Sequence, residues 1–380
     1  MNPEVVVVGG GPAGASCAYH LSKSGLNVLL LEKEKLPRFK LCAGCLSART
    51  LGLLPESRKG LFLNTIRSGR LGFMGIEEVR VDAREEVAYI VDRRFFDLFL
   101  VEKAQEAGAE LLQAEFIGFE KEESGYRVFT SKGDFFADFL VGADGVHSKT
   151  ARILGFKKKG VYKSLEFLTG GHMKEEVLIE IGLVSRGYLW VFPHGEGISV
   201  GVASAGKEDL TRILKDYADK KGIKYTHPKG WHIPCPEGEG DIHTGRDRAL
   251  LVGDSANMAD PLLGEGIYYA LWAGRLVSEA IVKNPSNPAD TYRKLLKPLV
   301  DELLYAGKIA RLAYRFQRLA YKMGKEFALA SFYELLAGER SYKSLYWKGW
   351  LNFLKNLTVE RLMGIFRGHE GRSVGATPWL

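Results

Sequence analysis

Cysteine is scarce in this 380-residue chain: Cys17, Cys42, Cys45 and Cys235 are the only four. That is too few for a disulfide framework, and they are not spaced as the four ligands of an iron–sulfur cluster. A reduced, cytoplasmic protein is expected. No apolar run reaches the roughly 18 residues of a membrane span, so no spanning helix is expected. The first apolar strand begins at Val5, which leaves no room for a signal peptide ahead of it. Internal repeats and low-complexity segments are absent. Neither is there a recognised nucleic-acid module, so nucleic acid is not expected as a partner.

What is present is the composition of a globular protein. It is 46% hydrophobic and long enough for two or three domains. The formal net charge of +7 is not spread evenly. Its excess lies in residues 291–370, and the rest of the chain is about neutral.

The strongest local pattern comes first. Val5-Val6-Val7-Val8 reads as a buried parallel strand. Gly9, Gly11 and Gly14 follow with the G-x-G-x-x-G spacing, then a helix over Ala15–Ser24 with Gly25 as its C′ residue, then Val28–Leu31 and Glu32. In such a unit the first glycine makes the turn, the second admits a pyrophosphate and the third lets helix and strand pack. Ala13 lies in the same turn. The helix N-terminus faces the phosphate, and Glu32 ends the second strand where an acid binds a ribose hydroxyl.

Next comes Leu41-Cys42-Ala43-Gly44-Cys45-Leu46-Ser47. One C-x-x-C without a second pair is poor evidence for zinc. A tight turn of small residues and a redox pair both remain open. Residues 71–91 look like strands. Asp92-Arg93-Arg94 opens an amphipathic helix to about Ala107. Two arginines at a helix start oppose the dipole, so either a nearby anion or simple solvation must explain them. Leu111–Phe119, containing Phe116, reads as one strand. Tyr126–Thr130 and Phe135–Val141 read as a hairpin that empties into Gly142-Ala143-Asp144-Gly145.

In the middle of the chain, Gly187–Pro193 and Gly197–Val202 form a second hairpin. Tyr188, Trp190 and Phe192 are two apart and share one face, as ordinary core or as a ligand wall. Residues 227–240 are rich in Pro and Gly and read as a crossover. Arg248–Val252 is a strand that ends in Gly253-Asp254. Gly264 and Gly266 precede a long helix from Ile267 to about Val282, whose N-terminus favours negative charge. Residues 291–370 read as helices in which basic residues alternate with aromatics, including Trp347, Trp350 and Phe353. Such a stretch suits either a helical cap or an anionic membrane surface.

Two separated elements thus call for one extended ligand. FAD fits, with its ADP half on the first unit and its flavin half near Asp254, Gly266 and Ile267. The fold class expected is α/β: a Rossmann-like FAD-binding domain (1–70, 93–155 and 241–290), a β-sheet substrate domain (71–92 and 156–240) and a C-terminal helical region (291–380).

Several stretches carry a family resemblance. Gly9–Gly14, Asp144-Gly145 and Gly253-Asp254 resemble the large flavoprotein family that includes aromatic hydroxylases. Leu41–Ser47, Tyr188-x-Trp190-x-Phe192-Pro193 with Gly201, and Pro261-x-x-Gly264-x-Gly266-Ile267-Tyr268 resemble the geranylgeranyl reductase family more closely. The match runs from residue 3 to about 285. Ala43 and Cys45 stand where that family usually has glycine, and Glu265 stands where hydroxylases have Gln.

The resemblance implies a reductase that saturates C=C bonds of prenyl chains on lipids, lipid precursors or quinones by hydride transfer from reduced flavin. It implies Cys42 beside the flavin as the catalytic residue. It implies FAD contacts from Ala13, Gly14, Ala43, Cys45, Phe116, Gly266, Ile267, Glu32, Arg93 and Asp254, and a substrate wall of Tyr188, Trp190 and Phe192. The electron donor stays open among NAD(P)H, ferredoxin and a quinol. A prenyl-lipid substrate implies peripheral contact with the inner face of the cell membrane through the basic C-terminal region. No metal site is expected. The rival readings are an FAD-dependent monooxygenase acting on a quinone or aromatic, and an electron-transfer flavoprotein.

Overall fold

The computed structural model describes residues 3–55, 60–157 and 160–349. Trp350 and Phe353 lie outside them. Among the described residues four β-sheets and the helices packed on them position the site.

The first sheet has six strands. β1 (Val5–Val8) is central, with β2 (Val28–Glu32) and β8 (Glu110–Gln113) on one side and β12 (Phe139–Gly142) and β19 (Ala249–Leu251) on the other, all parallel. The short β18 (Gly245–Arg246) closes the edge in antiparallel sense. The four valines of β1 are buried on both faces, as an unbroken apolar run in a parallel sheet requires. α1 (Pro12–Lys23) begins at Pro12, whose missing N–H is no loss in the first turn. It packs between α5 (Ile267–Lys283) and α2 (Arg93–Glu106). A close crossing of α1 and α5 is possible because Gly274 lies against the backbone of Ala13 and Cys17.

Beside this core, β9 (Phe116–Lys121), β10 (Tyr126–Thr130) and β11 (Gly133–Ala137) form an antiparallel meander. The run Phe135–Val141 therefore does not continue as one strand. It breaks at Asp138, and its halves join different sheets. Leu111–Phe119 likewise splits into β8 and β9. The small antiparallel sheet of β3 (Cys45–Ser47), β7 (Ala88–Ile90) and β4 (Asn64–Ile66) holds Cys45 opposite Ile90.

The second large sheet has seven strands in the order β17-β13-β16-β15-β14-β5-β6. These are Lys229–Pro234, Val161–Gly170, Gly197–Ser204, Gly187–His194, Glu176–Ile181, Ser68–Phe73 and Glu77–Asp82. All neighbours are antiparallel except β14 and β5. The stretch expected as a crossover, 227–240, thus contains the edge strand β17. α4 (Leu210–Lys221) covers one face of this sheet, packing Leu214 and Tyr217 on Phe167, Val200 and Val202. The other face is roofed by α7 (Lys297–Arg315) and α8 (Gln317–Leu336). Further helices include α6 (Pro288–Leu295) and α3 (Lys149–Ile153). Among the described residues no helix is long and apolar enough to cross a membrane.

Candidate active site

A cavity of about 870 Å³ runs from the glycine turn after β1 to the roofed face of the seven-stranded sheet. Its two ends differ in chemistry.

At the polar end stands the turn. Gly9 has φ +107°, and a Cβ there would meet the carbonyl of Ala143 at 2.5 Å. Gly14 is tighter: its Cβ would lie 1.9 Å from the Gly9 oxygen. Gly14 does not line the cavity but lets α1 sit close to the turn. Gly11 is different, since the nearest atom to its Cβ is Arg38 Nη2 at 3.7 Å. The space it leaves open faces the cavity, as a backbone approached by a pyrophosphate demands. Ala13 lines the same wall.

Glu32 closes this end. Its Oε2 accepts from Gly10 N (3.1 Å) and Arg38 Nε (3.2 Å), and its Oε1 from Glu34 N (3.0 Å). Arg38 also reaches Asp97 at 3.2 Å. Asp97, fully buried, is held in turn by Arg93 through two hydrogen bonds of 2.7 and 2.8 Å. The arginines at the start of α2 therefore carry protein counter-ions: Arg93 binds Asp97 and contacts Cys42, while exposed Arg94 pairs with Asp92. Nothing in the sequence marks Arg38 as part of this end. Its basic neighbours disguise it, and only the fold brings it onto Glu32.

Asp144, in the loop after β12, spends its carboxylate on structure. It accepts from Ser148 Oγ (2.5 Å) and from the N–H and hydroxyl of Thr150 (3.0 and 3.2 Å). Phe116 also lines the cavity.

The middle of the cavity is the 41–47 turn. Cys42 Sγ accepts from Gly44 N at 3.4 Å. Ala43 and Cys45 line the cavity beside it. All four cysteines are free. Burial, with Glu265 and Cys42 nearby, pushes the Cys45 thiol up to about 12. This favours the thiol of Cys45 over its thiolate at neutral pH. Gly44, at φ +72°, would drive a Cβ to 2.1 Å from the Val91 carbonyl. Asp254, Gly266 and Ile267 face the turn across the cavity, with Gly266 capping α5. An alanine at Gly266 would find Asp254 Oδ1 at 3.6 Å.

The far end is apolar. Leu71, Val177 and Ile179 form its floor, and Ile309, Leu329 and Phe332 its roof. Tyr188, Trp190 and Phe192 line one wall, as their spacing on β15 predicts. Tyr188 donates its hydroxyl to the Leu263 carbonyl, which ties this wall to the loop before α5. Trp190 lies over Gly201: a Cβ there would be 2.1 Å from the indole. Its Nε1 donates to Ser199 Oγ at 3.0 Å, and Ser199 Oγ donates to Glu166 Oε1 at 2.6 Å.

Glu166 and Ser199 escaped sequence reading. A polar residue between Leu165 and Phe167 looks like the solvent face of a strand, and the roof that buries it comes from 130 or more residues later. Among the described residues no cluster could hold a metal ion.

Three independent features make room for a dinucleotide: the open flank of Gly11, the N-terminus of α1 behind it, and the acid at the end of β2. FAD bound there would supply two-electron redox chemistry. The fold and this cavity define an FAD-dependent oxidoreductase. Residues 2–223 match the FAD binding domain family, FAD_binding_3.

The chain belongs to the geranylgeranyl reductase family. It is 31% identical to a digeranylgeranylglycerophospholipid reductase of Methanocaldococcus jannaschii over 309 residues, covering 74% of this chain and 78% of that one. A second relative of that name, from Methanosphaerula palustris, is 31% identical over 314 residues, 74% of this chain and 76% of its own. A solved structure described as geranylgeranyl bacteriochlorophyll reductase-like, from Thermoplasma acidophilum, superposes with a TM-score of 0.74 at 23% identity. It covers 89% of this chain and 92% of its own. A flavin-dependent brominase shares the fold at a TM-score of 0.70 and 18% identity, covering 94% of this chain and all of its own.

Proposed function

We propose that this protein saturates C=C bonds in the prenyl chains of a geranylgeranyl-type lipid, lipid precursor or quinone, with reduced FAD as the hydride source. The observation that carries this reading is the two-ended cavity. A polar dinucleotide turn and a roofed apolar chamber share one space, with the Cys42–Cys45 turn between them. A long hydrocarbon lying between Trp190 and the α7–α8 roof would present its double bonds toward that turn. In this reading Glu32 holds the ribose, Gly11 and Ala13 admit the pyrophosphate while Gly14 lets α1 close on the turn behind it, and Phe116 contacts the adenosine side. Ala43, Cys45, Asp254, Gly266 and Ile267 surround the flavin half, and Arg93 supports Cys42 beside it. The role of Cys42 in catalysis is tested by Cys42→Ser, for which wild-type turnover would discard it.

The substrate class also suggests where the protein works. At the junction of α7 and α8, Leu312, Phe316 and Leu319 are exposed beside exposed Arg311, Arg315 and Arg318. Apolar side chains set among arginines suit the interface of an anionic bilayer. Peripheral contact with the inner membrane face is therefore part of the proposal, with cosedimentation on anionic and neutral vesicles as its check. The donor that reduces the cofactor is proposed to be NAD(P)H, a ferredoxin or a quinol.

The deciding experiment is mass spectrometry of a geranylgeranyl phospholipid after anaerobic incubation with the chemically reduced holoprotein. Gain of hydrogen pairs is expected. No gain, with oxygen incorporated into a quinone or aromatic once air and NAD(P)H are admitted, would replace the reading with that of a monooxygenase.

A further inference from the structure

Among the cavity-lining residues of the seven-stranded sheet, Glu166 is the only acid. Its side chain is 3% exposed, and its surroundings fix where a proton on it would sit. An indole N–H can only donate, so the Trp190–Ser199 bond uses a lone pair of the Ser199 oxygen. The single Ser199 proton is then given to Glu166 Oε1. Oε1 is an acceptor, which leaves Oε2 to carry the acidic proton. No described residue hydrogen-bonds Oε2.

Position supports a use for that proton. Glu166 is opposite Gly201 in the β13–β16 ladder. The absent side chain at Gly201 lets the Trp190 ring lie flat beside the acid. Trp190 belongs to the buried cluster against which Ala43 and Cys45 pack, in the turn between the two ends of the cavity. Glu166 thus lines the same cavity as that turn and is hydrogen-bonded through Ser199 to a ring of the cluster the turn packs on. Burial pushes its carboxyl up to about 7, against the pull of the Ser199 hydrogen bond. A substantial share therefore holds its proton at neutral pH.

We propose that Glu166 is the acid that protonates the substrate double bond, with Ser199 and Trp190 as its positioning residues. This rests on the prenyl-reductase reading. Saturation consumes one π pair. The Oε2 proton goes to one alkene carbon and forms a C–H bond with that pair. The other carbon receives hydride, with both its electrons, from the reduced cofactor, which leaves oxidised. Glu166 is left as a carboxylate held by Ser199, and it regains its proton from water between turnovers.

The test is Glu166→Gln in the holoprotein, an isostere that still accepts from Ser199. FAD content and reducibility by dithionite should match the wild type, while single-turnover saturation of a geranylgeranyl phospholipid falls by about 100-fold or more. Infrared difference spectra, with and without cofactor, should show a neutral-carboxyl C=O stretch in the wild type that E166Q lacks. Should E166Q not fold, Glu166→Asp keeps the acid but withdraws it, and should slow saturation by about tenfold or more. E166Q turnover within about twofold of the wild type, an E166D rate equal to it, or the absence of that infrared band would overturn the proposal while leaving the reductase reading in place. A wild type that saturates nothing would overturn the reductase reading and the proposal with it.

Discussion

Arg49 and Glu265 form a salt bridge 2.5 Å long, with side chains 7% and 8% exposed. It joins the short helix after β3 to the residue just before Gly266, at the start of α5. Ser47 also donates to Glu265, and the Arg49 guanidinium stacks on Tyr268 at 4.1 Å. Breaking one side of a buried pair leaves the other charge uncompensated. Glu265→Gln, which restores the residue hydroxylases carry, should cost about 3–5 kcal/mol in chemical unfolding. Arg49→Met added to it should recover part of that loss. A cost under about 1 kcal/mol for the single change would show that water reaches the pair.

Two glycines of one turn should behave oppositely. Gly14→Ala puts a methyl 1.9 Å from a backbone oxygen, so it should prevent folding or strip the cofactor by displacing α1. Gly11 has φ −78° and ψ −179°, which alanine adopts freely, and its flank is open. Gly11→Ala should fold with an unchanged unfolding midpoint yet bind FAD about tenfold or more weakly. Unaltered flavin content after gel filtration would refute the pyrophosphate role of Gly11.

Trp190→Ala should impair turnover of long prenyl chains more than reduction of the bound flavin. It removes a wall of the chamber without touching the dinucleotide turn. Gly201→Ala should act in the same direction by lifting the indole off the sheet. Equal losses in the two half-reactions would assign Trp190 to the core alone.

Asp260 gives a pH signature. Its Oδ1 accepts from Leu262 N (2.6 Å) and Leu263 N (3.2 Å), and Tyr342 donates to Oδ2. Burial outweighs these bonds and pushes its carboxyl from 3.8 up to about 6. Between those values the folded chain binds more protons than the unfolded one, so this group stabilises at low pH and its contribution is lost as pH rises toward 6. The stability of the wild type relative to Asp260→Asn should therefore grow from pH 7 to pH 4.5, by about 2 kcal/mol. Urea midpoints of both proteins at both pH values measure it. A constant difference would mean that Asp260 titrates as an ordinary carboxylate.

The dinucleotide unit was legible because each of its parts has a short-range cause. Val5–Val8 can only be buried on both faces, Gly9 needs its positive φ, and Glu32 ends a strand. The aromatic wall of β15 was legible for the same reason, a period of two. Strand β17 was not: Lys229-Gly230-Trp231-His232 has no apolar alternation, and an edge strand needs none. The helical periodicity over 291–336 revealed apolar faces but not what they cover. A basic, amphipathic pattern serves a bilayer or a chamber equally well, and here the buried faces of α7 and α8 meet the cavity. Arg38 and Glu166 stayed hidden because their significance lies in partners 59 and 33 residues away, Asp97 and Ser199.

The α7–α8 roof has a consequence for how the molecule is made. A ribosome delivers the glycine turn, both large sheets and α5 before it delivers α8. The dinucleotide half can therefore assemble while the apolar chamber still lacks a ceiling, and its floor is briefly open to water or to a nearby bilayer. The ceiling is also the part least bound to flavin chemistry. If the proposed function holds, exchanging side chains such as Leu329 and Phe332 retunes the length and branching of the chains accepted, with the dinucleotide turn left as it is.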